Sequence, residues 1–382
     1  MIKREIQERI AKRLFKGKAI VIYGARQVGK TTVARSISQS TGVKTLWLNC
    51  DELDTREMLR NANSTNLKNL TSGYKIVVID EAQRVEDIGI AIKIFTDELP
   101  DIQVIATGSA SFELAQKINE PLTGRKYEFH IYPLSFDEMA EHHGLLEEKR
   151  MIDHRLIFGY YPEIVNKQEE EKELLSMLAS SYLYKDILTF DRIKKPELVE
   201  KLVKALALQV GNEVSYNELS SLVGADKNTV EKYIGILEKA FVIFKLEAYS
   251  GNIRNEIKKS RKIYFYDNGI LNSVISNYDS IQKRNDKGAL WENFVISERK
   301  KAFNNAGINY KQNFWRTTQQ QEIDLIEETP DGLNAFEIKW NCRNFKLPST
   351  FTSNYDIFEN SCIDKNNFDK YILMQKPPNQ QP

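Results

Sequence analysis

Two short segments combine residue types that suit phosphate and divalent-metal chemistry. The first reads GARQVGKT at 24–31, follows an apolar run and precedes a helical pattern. Glycines let such a loop curl so that backbone N–H groups point at phosphate oxygens, and the helix N-terminus adds its positive dipole end. Lys30 then reaches the β- and γ-phosphates of a nucleotide, while Thr31 offers its hydroxyl to Mg²⁺. The spacing predicts a phosphate-binding loop made of Gly24, Arg26, Gln27, Val28, Gly29, Lys30, Thr31 and Thr32.

The second segment ends an apolar run with two acids. Residues 75–81 read KIVVIDE, which predicts a buried strand ending at Asp80 and Glu81. Ligands bind at the carboxyl ends of strands in open parallel sheets, so Asp80 is placed to hold Mg²⁺ through its water shell. Glu81 is placed to polarise an attacking water, which favours hydrolysis over transfer to a small molecule. The alternative is a strand that ends in a solvated acidic turn.

Weaker candidates follow for the same site. The run VIATGSAS at 104–111 puts Thr107 and Ser109 where either can hydrogen-bond the attacking water or the γ-phosphate, although an ordinary strand-exit turn explains them nearly as well. In LTGRK, Gly124 presents Arg125, and phosphoryl transfer needs a cation on the equatorial oxygens of its transition state. Arg125 would act within its own chain or from a neighbouring subunit. The alternative is a surface arginine in a basic turn.

A helix–turn–helix pattern lies further along the chain. Ser215 caps a short predicted helix, Gly224 makes the turn, and Asp226 caps a second helix that precedes the strand-like VIFKLEAY. The second helix could enter a DNA major groove, and residues 254–262 add five basic residues and one acid as a phosphate-contacting patch. We expect the second helix to expose Lys227, Asn228, Thr229, Glu231 and Lys232. Many such modules only pack against protein, so DNA contact and a structural role both stay open.

Acidic residues gather again near the C-terminus. Strand alternation puts Glu337 and Lys339 on one face, and a hairpin through TPDG at 329–332 can bring Asp324 beside them. Two carboxylates and a lysine suit metal-dependent phosphodiester hydrolysis, with Glu292 as a third carboxylate. The alternatives are a solvated charged face on an amphipathic hairpin and an inactive relic of such a site.

Particular elements must position these residues. Apolar runs alternate with helical patterns in the first third of the chain, which predicts a parallel sheet covered on both faces. These runs are 19–24, 45–49, 75–80 and 103–108. We expect an α/β protein with a P-loop NTPase parallel sheet and several further parts. The parts are the ATPase domain at 1–147 with a helix at 1–14, a helical lid or linker at 148–208, a winged-helix-like module at 209–262, a small mixed α/β nuclease-like domain at 263–376 and a loose tail at 377–382.

Composition excludes several classes of protein. The chain of 382 residues suffices for two or three domains, and 54 Lys and Arg nearly balance 53 Asp and Glu, so it is no polycation. No apolar run approaches the ~18 residues that span a bilayer, so we expect no membrane partner. Three cysteines, Cys50, Cys342 and Cys362, are odd in number and far apart. They predict neither a disulfide framework nor a metal pair, which favours a reducing cytoplasm.

Together and in this order, the motifs resemble a known family over nearly the whole chain. The sequence is similar to the AAA-type ATPases of bacteria and archaea, often called archaeal-type ATPases, which join a P-loop domain to a C-terminal domain of uncertain role. Ala25 departs from the family's usual proline, and Tyr160 stands where a glycine is common. The carrying motifs are GARQVGKTT at 24–32, VVIDEAQ at 77–83, TGSAS at 107–111, LTGRKYEFHIYPLSFDE at 122–138, TVEKYIGILEKAFVI at 229–243, YFYDNG at 264–269, WENFV at 291–295, EIDLI at 322–326 and FEIKW at 336–340.

The resemblance implies ATP as the nucleotide, bound with Mg²⁺ through the loop and through Asp80 and Glu81. It also implies that Arg125 lies near a nucleotide, and that the residues Asp324, Glu337 and Lys339 match a PD-(D/E)xK nuclease pattern. We therefore expect an Mg²⁺-dependent ATPase whose nucleotide state controls a DNA-binding or nuclease-like C-terminal half. The alternative is a signalling or scaffold ATPase whose C-terminal half binds protein only; a homo-oligomer and a protein partner are both open.

Overall fold

The computed structural model describes residues 2–109, 122–180, 195–251 and 260–373. The chain divides into two units, the first comprising Lys3–Pro133 with Lys239–Phe241 and the second the remainder. The expected tail at 377–382 and part of the expected lid, 181–194, lie outside the described residues.

A five-stranded parallel sheet forms the centre of the first unit, which confirms the predicted α/β class. The spatial order is β2–β3–β4–β1–β5, and every neighbouring pair is parallel. Central strand β1 is buried at each position because both faces of the sheet are covered. The strands are β1 Ala19–Gly24, β2 Thr45–Asn49, β3 Ile76–Asp80, β4 Gln103–Gly108 and β5 Lys126–Ile131.

The fifth strand lies outside the four predicted runs. Its sequence KYEFHI mixes polar and apolar residues, because an edge strand is half exposed. The first helix is shorter than the predicted 1–14 helix, although Ile6 and Ile10 are buried as expected. The helices of this unit are Ile6–Ala11, Lys30–Ser40, Leu53–Arg60, Ser64–Leu70 and Ile88–Glu98, with a 3-10 turn at Ala82–Arg84.

A six-stranded mixed sheet organises the second unit, in the order β11–β10–β9–β8–β6–β7. Pairs β6–β7, β8–β9 and β9–β10 are antiparallel, whereas β6–β8 and β10–β11 are parallel. The strand expected to follow the helix–turn–helix, β6, therefore joins this sheet beside the edge strand β7, and β7 crosses the expected boundary at 262/263. The strands are β6 Ile243–Ala248, β7 Arg261–Phe265, β8 Lys311–Arg316, β9 Glu322–Thr329, β10 Gly332–Ile338 and β11 Ile357–Ile363.

Helices surround this sheet, and those expected as a lid belong to the same unit. The longest helix, Lys287–Ala306, buries Trp291 against the ring of Phe368. Among the described helices, none has the length and apolar character that crossing a bilayer requires. The helices are Phe136–His143, Leu145–Arg150, Ile152–Phe158, Pro162–Asn166, Glu171–Ala179, Pro196–Leu208, Tyr216–Val223, Lys227–Lys239, Asn268–Ile275, Lys287–Ala306, Ser349–Thr352 and Asp369–Ile372, with a 3-10 turn at Ile281–Lys283.

Candidate functional site

The phosphate loop runs from the end of β1 to the helix that starts at Lys30. Gln27 and Gly29 have positive φ angles of 58° and 93°, which curl the loop. The Lys30 side chain is buried, and its Nζ donates to the carbonyl oxygens of Gly24 at 3.1 Å and Ala25 at 2.7 Å. The loop thus closes around an ammonium group, the charge that nucleotide phosphates require.

Other residues shape this loop from behind. A Cβ on Gly24 would lie 2.2 Å from the carbonyl oxygen of Ile131, so this position requires glycine. The guanidinium of Arg4, which is buried, donates to the carbonyl oxygens of Val28 and Tyr132, both at 2.7 Å. Sequence reasoning missed Arg4, whose only signal is a charged residue within an amphipathic helix. The loop residues Arg26, Gln27 and Thr32 are partly or fully exposed.

The ends of β3 and β4 meet beside the loop. The hydroxyl Oγ1 of Thr31 lies 3.0 Å from both carboxylate oxygens of Asp80, and the Thr107 hydroxyl also donates to Asp80. These are hard oxygen donors next to a phosphate loop, so the residues present fit Mg²⁺ bound with a nucleotide. The structure thus brings together Thr31, Asp80 and Thr107 from the elements the sequence assigned them to.

Glu81 follows Asp80 in an unusual backbone conformation. Its φ is 53°, the left-handed region that residues with a side chain seldom adopt, and its N–H donates to Thr107 Oγ1 at 3.3 Å. The buried Gln83 amide donates from Nε2 to Glu81 Oε2 at 2.5 Å and to Ser109 Oγ at 2.8 Å. Gln83 was not predicted as a site residue. The 3-10 turn at 82–84 returns it to Glu81, a fold-back that strand and helix periods do not indicate.

A thiol lies beside the same acids without adding charge. Burial, together with nearby Asp80, raises the pKa of Cys50 to about 12. Its backbone N–H donates to the carbonyl oxygen of Asp80 at 3.0 Å. Cys50 is therefore a neutral packing group behind the acidic strand end, and its thiol is not a nucleophile at neutral pH.

Arg125 is not brought together with the phosphate loop of its own chain. Its carbonyl oxygen accepts from the N–H of Ala19, the first residue of β1, whereas the loop follows the last residue of that strand. Its guanidinium pairs with Asp97 at 2.6 Å and is 41% exposed. Arg125 and the phosphate loop lie at opposite ends of β1, so the geometry does not support action of Arg125 on the nucleotide of its own subunit. Action on the nucleotide of a neighbouring subunit remains a proposal.

In the second unit, Asp324 and Glu337 lie beside Lys339. Leu325 pairs with Phe336, so that Asp324 and Glu337 are next in the antiparallel register. Lys339 Nζ lies 2.7 Å from Glu337 Oε1 and 3.4 Å from Asp324 Oδ2, and the latter oxygen also accepts from the Ile338 N–H at 2.8 Å. The hairpin therefore places two carboxylates and a lysine on one face.

A second lysine completes this cluster from β7. Lys262 Nζ lies 2.5 Å from Glu322, 3.2 Å from Glu292 and 3.7 Å from Asp324, and its side chain is 2% exposed. The expectation that Lys262 contacts phosphate in an exposed patch is wrong, because its ammonium is buried among carboxylates. Tyr264, two residues on, donates to Glu292 at 2.6 Å. Residues 254–259 of that patch lie outside the described residues.

Burial and charge shape the ionisation of the cluster. Desolvation raises the pKa of Glu292 to about 7, with Lys262 opposing the shift and Asp324 adding to it. Desolvation and then Asp324 raise the pKa of Glu337. Burial lowers the pKa of Lys262, but its carboxylate neighbours raise that pKa by a larger amount, so the net shift is upward. Lys262 keeps its charge, and the Glu292 carboxyl takes up a proton near neutral pH.

The residues of this cluster do not fit a divalent metal. Within the described ranges, no group of three or more His, Cys, Asp or Glu side chains is arranged to hold a metal ion. The carboxylates instead surround the Lys262 ammonium. A cavity of about 450 Å³ opens beside them, and its lining includes Glu322, Glu337, Lys339 and Arg343.

The cysteine expectation also needs correction. The structure joins Cys342 and Cys362 in a disulfide with Cα atoms 6.2 Å apart. Cys362 lies beside Glu337 because β10 and β11 pair in parallel, a pairing that a separation of 20 residues hides in the sequence. A cytoplasmic location stays a prediction, and unpaired cysteines no longer argue for it.

The helix–turn–helix segment has the expected elements. Ser215 accepts from the Glu218 N–H, and Gly224 ends the first helix with φ of 72°. Asp226 caps the second helix by accepting from the Thr229 N–H at 3.0 Å. Along that helix Lys227, Asn228, Glu231 and Lys232 are exposed and Thr229 is partly so.

Three family models match successive parts of the chain. Residues 16–140 match a family model described as an AAA domain. Residues 149–280 match a Domain of unknown function (DUF8612), and residues 287–372 match a Domain of unknown function (DUF4143). The first match contains the phosphate loop and the strand ends beside it, and the last contains most of the carboxylate cluster.

Curated relatives extend over much of the chain. An uncharacterized protein of Mycobacterium tuberculosis is 26% identical over 345 residues, which are 88% of this chain and 74% of the relative. One from Haemophilus influenzae is 26% identical and covers 67% of this chain and 68% of its own. One from Methanocaldococcus jannaschii is 24% identical and covers 65% and 61%.

Among solved structures, the RuvB Holliday junction branch migration motor of Thermotoga maritima is similar at 15% identity and a TM-score of 0.30. It covers 64% of this chain and 89% of its own, and at that score the likeness adds no argument. The family match, the strand order and the loop geometry all indicate a P-loop ATPase domain without that likeness. The chain therefore carries an AAA-family P-loop ATPase domain, followed by a C-terminal domain of the DUF4143 type.

Proposed function

We propose that this chain is an Mg²⁺-dependent ATPase. The observation that carries the proposal is the meeting of a closed phosphate loop, a threonine–aspartate pair and a buttressed glutamate at one edge of a parallel sheet. Thr31, Asp80 and Thr107 come from three separate segments of the chain, and the hydroxyl groups of both threonines donate to the Asp80 carboxylate. Lys30 directly precedes Thr31, and the Glu81 N–H donates to Thr107 Oγ1. Sequence-distant groups assembled in this way are typical of a site for phosphoryl chemistry.

Each residue has a role that follows from its contacts. Lys30 would exchange its two carbonyl partners for phosphate oxygens. Thr31 and Asp80 would hold Mg²⁺, which supplies positive charge to the phosphate oxygens when it is bound. Glu81 would accept a proton from the attacking water, since its carboxylate is fixed by Gln83.

The test is ATP turnover and ATP binding by the full chain and two variants. We expect Lys30→Ala to abolish tight ATP binding, because the loop then lacks its buried cation. Glu81→Gln should bind ATP but not hydrolyse it, because an amide cannot accept the proton. Exposed Lys93→Ala and Glu98→Gln, on a neighbouring helix, are matched controls that should retain both properties. Equal turnover by Glu81→Gln and the parent protein would remove the catalytic assignment.

For the C-terminal half, the proposal is that nucleotide state controls nucleic-acid binding through the helix Lys227–Lys239. The support is the capped helix–turn–helix followed by a hairpin, with two exposed lysines near the helix start. The alternative remains a signalling or scaffold ATPase whose second half binds protein only, alone as a homo-oligomer or with a partner. A cytoplasmic location is part of the proposal.

A further inference from the structure

We infer that Lys262 occupies, as an ammonium group, the place between the C-terminal carboxylates that a divalent cation would take. The cluster as built therefore excludes Mg²⁺, and metal-dependent cleavage of phosphodiesters is not its chemistry. This inference concerns the second unit alone and does not depend on the proposed ATPase.

Lys262 lies at the point on which the carboxylates converge. Its Nζ is within 3.7 Å of carboxylate oxygens from three residues, and those residues come from β9 and from the helix Lys287–Ala306. Lys262 itself comes from β7. Several elements thus direct acids at one point, which is how a protein builds a metal site, but the point is filled by a side chain of the same chain.

The carboxylate oxygens of Asp324 and Glu292 already accept hydrogen bonds from other groups. On Asp324, Oδ1 faces Lys262, whereas Oδ2 accepts from the Ile338 N–H and lies near Lys339. On Glu292, Oε1 accepts from both Lys262 and Tyr264. Mg²⁺ needs oxygen ligands at about 2.1 Å in octahedral array, so it would have to displace these donors.

Lys262 cannot easily leave this position. Its side chain is 2% exposed, with the Phe314 ring 5.5 Å from Nζ. Lys339, the lysine of the nuclease-like pattern, is by contrast 52% exposed and lies on the other oxygen of Asp324. A buried ion pair that loses one partner leaves an uncompensated charge, which strongly disfavours the displaced state.

The test measures Mn²⁺ binding by electron paramagnetic resonance on the full chain without nucleotide. Every protein carries Asp80→Asn, so that the phosphate site contributes no metal. We expect no Mn²⁺ at the cluster in this background. Lys262→Met keeps the length of the side chain but removes its charge, and should raise Mn²⁺ affinity by about tenfold or more, since affinity follows the net ligand charge. Adding Asp324→Asn should abolish that gain.

Lys300→Met is the matched control. Lys300 is a partly buried lysine of the same unit that lies over the Phe244 ring, so its loss should leave Mn²⁺ affinity unchanged. Two results would overturn the inference: Mn²⁺ binding by the Lys262-containing background that Asp324→Asn removes, or a folded Lys262→Met protein with no gain.

A melting experiment covers the case in which Lys262→Met does not fold without metal. Recovery of its folded structure on addition of Mn²⁺, but not with Asp324→Asn present, would support the inference. The background protein with Lys262 should melt at the same temperature in Mn²⁺ and in EDTA. A metal-dependent shift that disappears with Asp324→Asn would show that the lysine does not exclude the ion.

Discussion

Glu81 keeps a left-handed backbone conformation that a residue with a side chain adopts at a free-energy cost. Its neighbours compensate that cost: Thr107 accepts its N–H, and the Gln83 amide bridges its carboxylate to Ser109. Such conformations cluster at functional sites because the surrounding structure fixes them for a purpose. Here the result is a carboxylate that points in one direction before any water arrives.

Gln83 should therefore affect the chemical step more than nucleotide affinity. We expect Gln83→Ala to lower kcat for ATP by about tenfold, because a mobile base is less often in position to accept a proton. The affinity for ATP should change little, which separates positioning from binding. Exposed Gln39→Ala, on the helix Lys30–Ser40, is the control for loss of an amide. A fall in ATP affinity with unchanged kcat would contradict the assigned role.

Glu292 gives the second unit a pH-dependent stability. Its pKa rises from 4.5 to about 7 on folding, so between these pH values the folded chain holds a proton that the unfolded chain has released. The free energy of unfolding should thus fall as pH rises through this range. Between pH 5 and pH 8, the free energy of unfolding measured by urea denaturation should fall by about 2 kcal/mol more for the parent protein than for Glu292→Gln.

The control for Glu292 is Glu328→Gln, which removes a carboxylate from a surface pair with Lys311. That variant should keep the pH profile of the parent protein. Parallel profiles for the parent and Glu292→Gln would mean that Glu292 does not hold the proton in the folded chain.

At the scale of elements, the strand β1 separates two kinds of residue. Its carboxyl end leads into the phosphate loop, whereas its first residue bonds to Arg125. An arginine at the amino edge of the sheet can reach a nucleotide only if that nucleotide belongs to another chain.

Mixing variants tests this neighbouring-subunit role. Arg125→Ala and Glu81→Gln should each be inactive alone, but together they should regain part of the ATPase activity, because one mixed interface has both groups intact. Turnover per chain should also rise with protein concentration. The control is Arg60→Ala, another exposed arginine in an ion pair, which should stay active alone. Full turnover by a strictly monomeric parent sample would exclude the idea.

If the helix Lys227–Lys239 binds DNA, the affinity for DNA should depend on salt. If its lysines contact DNA phosphates, Lys227→Ala should weaken duplex binding and lower the slope of log affinity against log salt by about one. Fluorescence anisotropy at several salt concentrations measures both effects. Lys201→Ala, an exposed lysine of the helix Pro196–Leu208, should leave the slope unchanged. Absence of any DNA affinity in the parent would favour the protein-binding alternative.

The contiguous part of the site was accessible to sequence reasoning, and the assembled part was not. Lys30 and Thr31 belong to one strand–loop–helix segment, so spacing alone assigns them. Lys262 meets Glu322 only through a sheet that orders β9, β8, β6 and β7 side by side, and it meets Glu292 on the helix Lys287–Ala306. Single-strand periodicity carries no information on that order, and a lysine within a basic run therefore looked exposed.

At the scale of the molecule, the ATPase and the second half must communicate if nucleotide controls binding. With Glu81→Gln to keep ATP intact, we expect ATP to change the dissociation constant for DNA by about tenfold. Linkage then requires DNA to change the affinity for ATP by the same factor. Both constants can be measured by titration on one protein sample. Equal DNA affinity with and without ATP would remove the control from the proposal.

Some features of the whole fold were predictable from the sequence and others were not. The sequence predicted the parallel sheet correctly, because buried strands leave continuous apolar runs such as those of β1 and β4. The sequence did not indicate that the strand expected after the helix–turn–helix joins the C-terminal sheet, since β6 pairs with β8 across 66 residues of chain. Cys342 and Cys362 were missed for the same reason, because β11 pairs with β10 beyond an intervening helix.

The bonds of Arg4 bear on how the ATPase part should be excised for study. The AAA match begins at residue 16, and a boundary drawn there discards the guanidinium that tethers the Val28 carbonyl, together with buried Ile6 and Ile10. Such a fragment would contain every residue proposed to contact phosphate and still hold the loop less firmly. Kinetic constants measured on it would describe a loosened enzyme, so cloning should begin ahead of Arg4, with any purification handle placed well clear of that side chain.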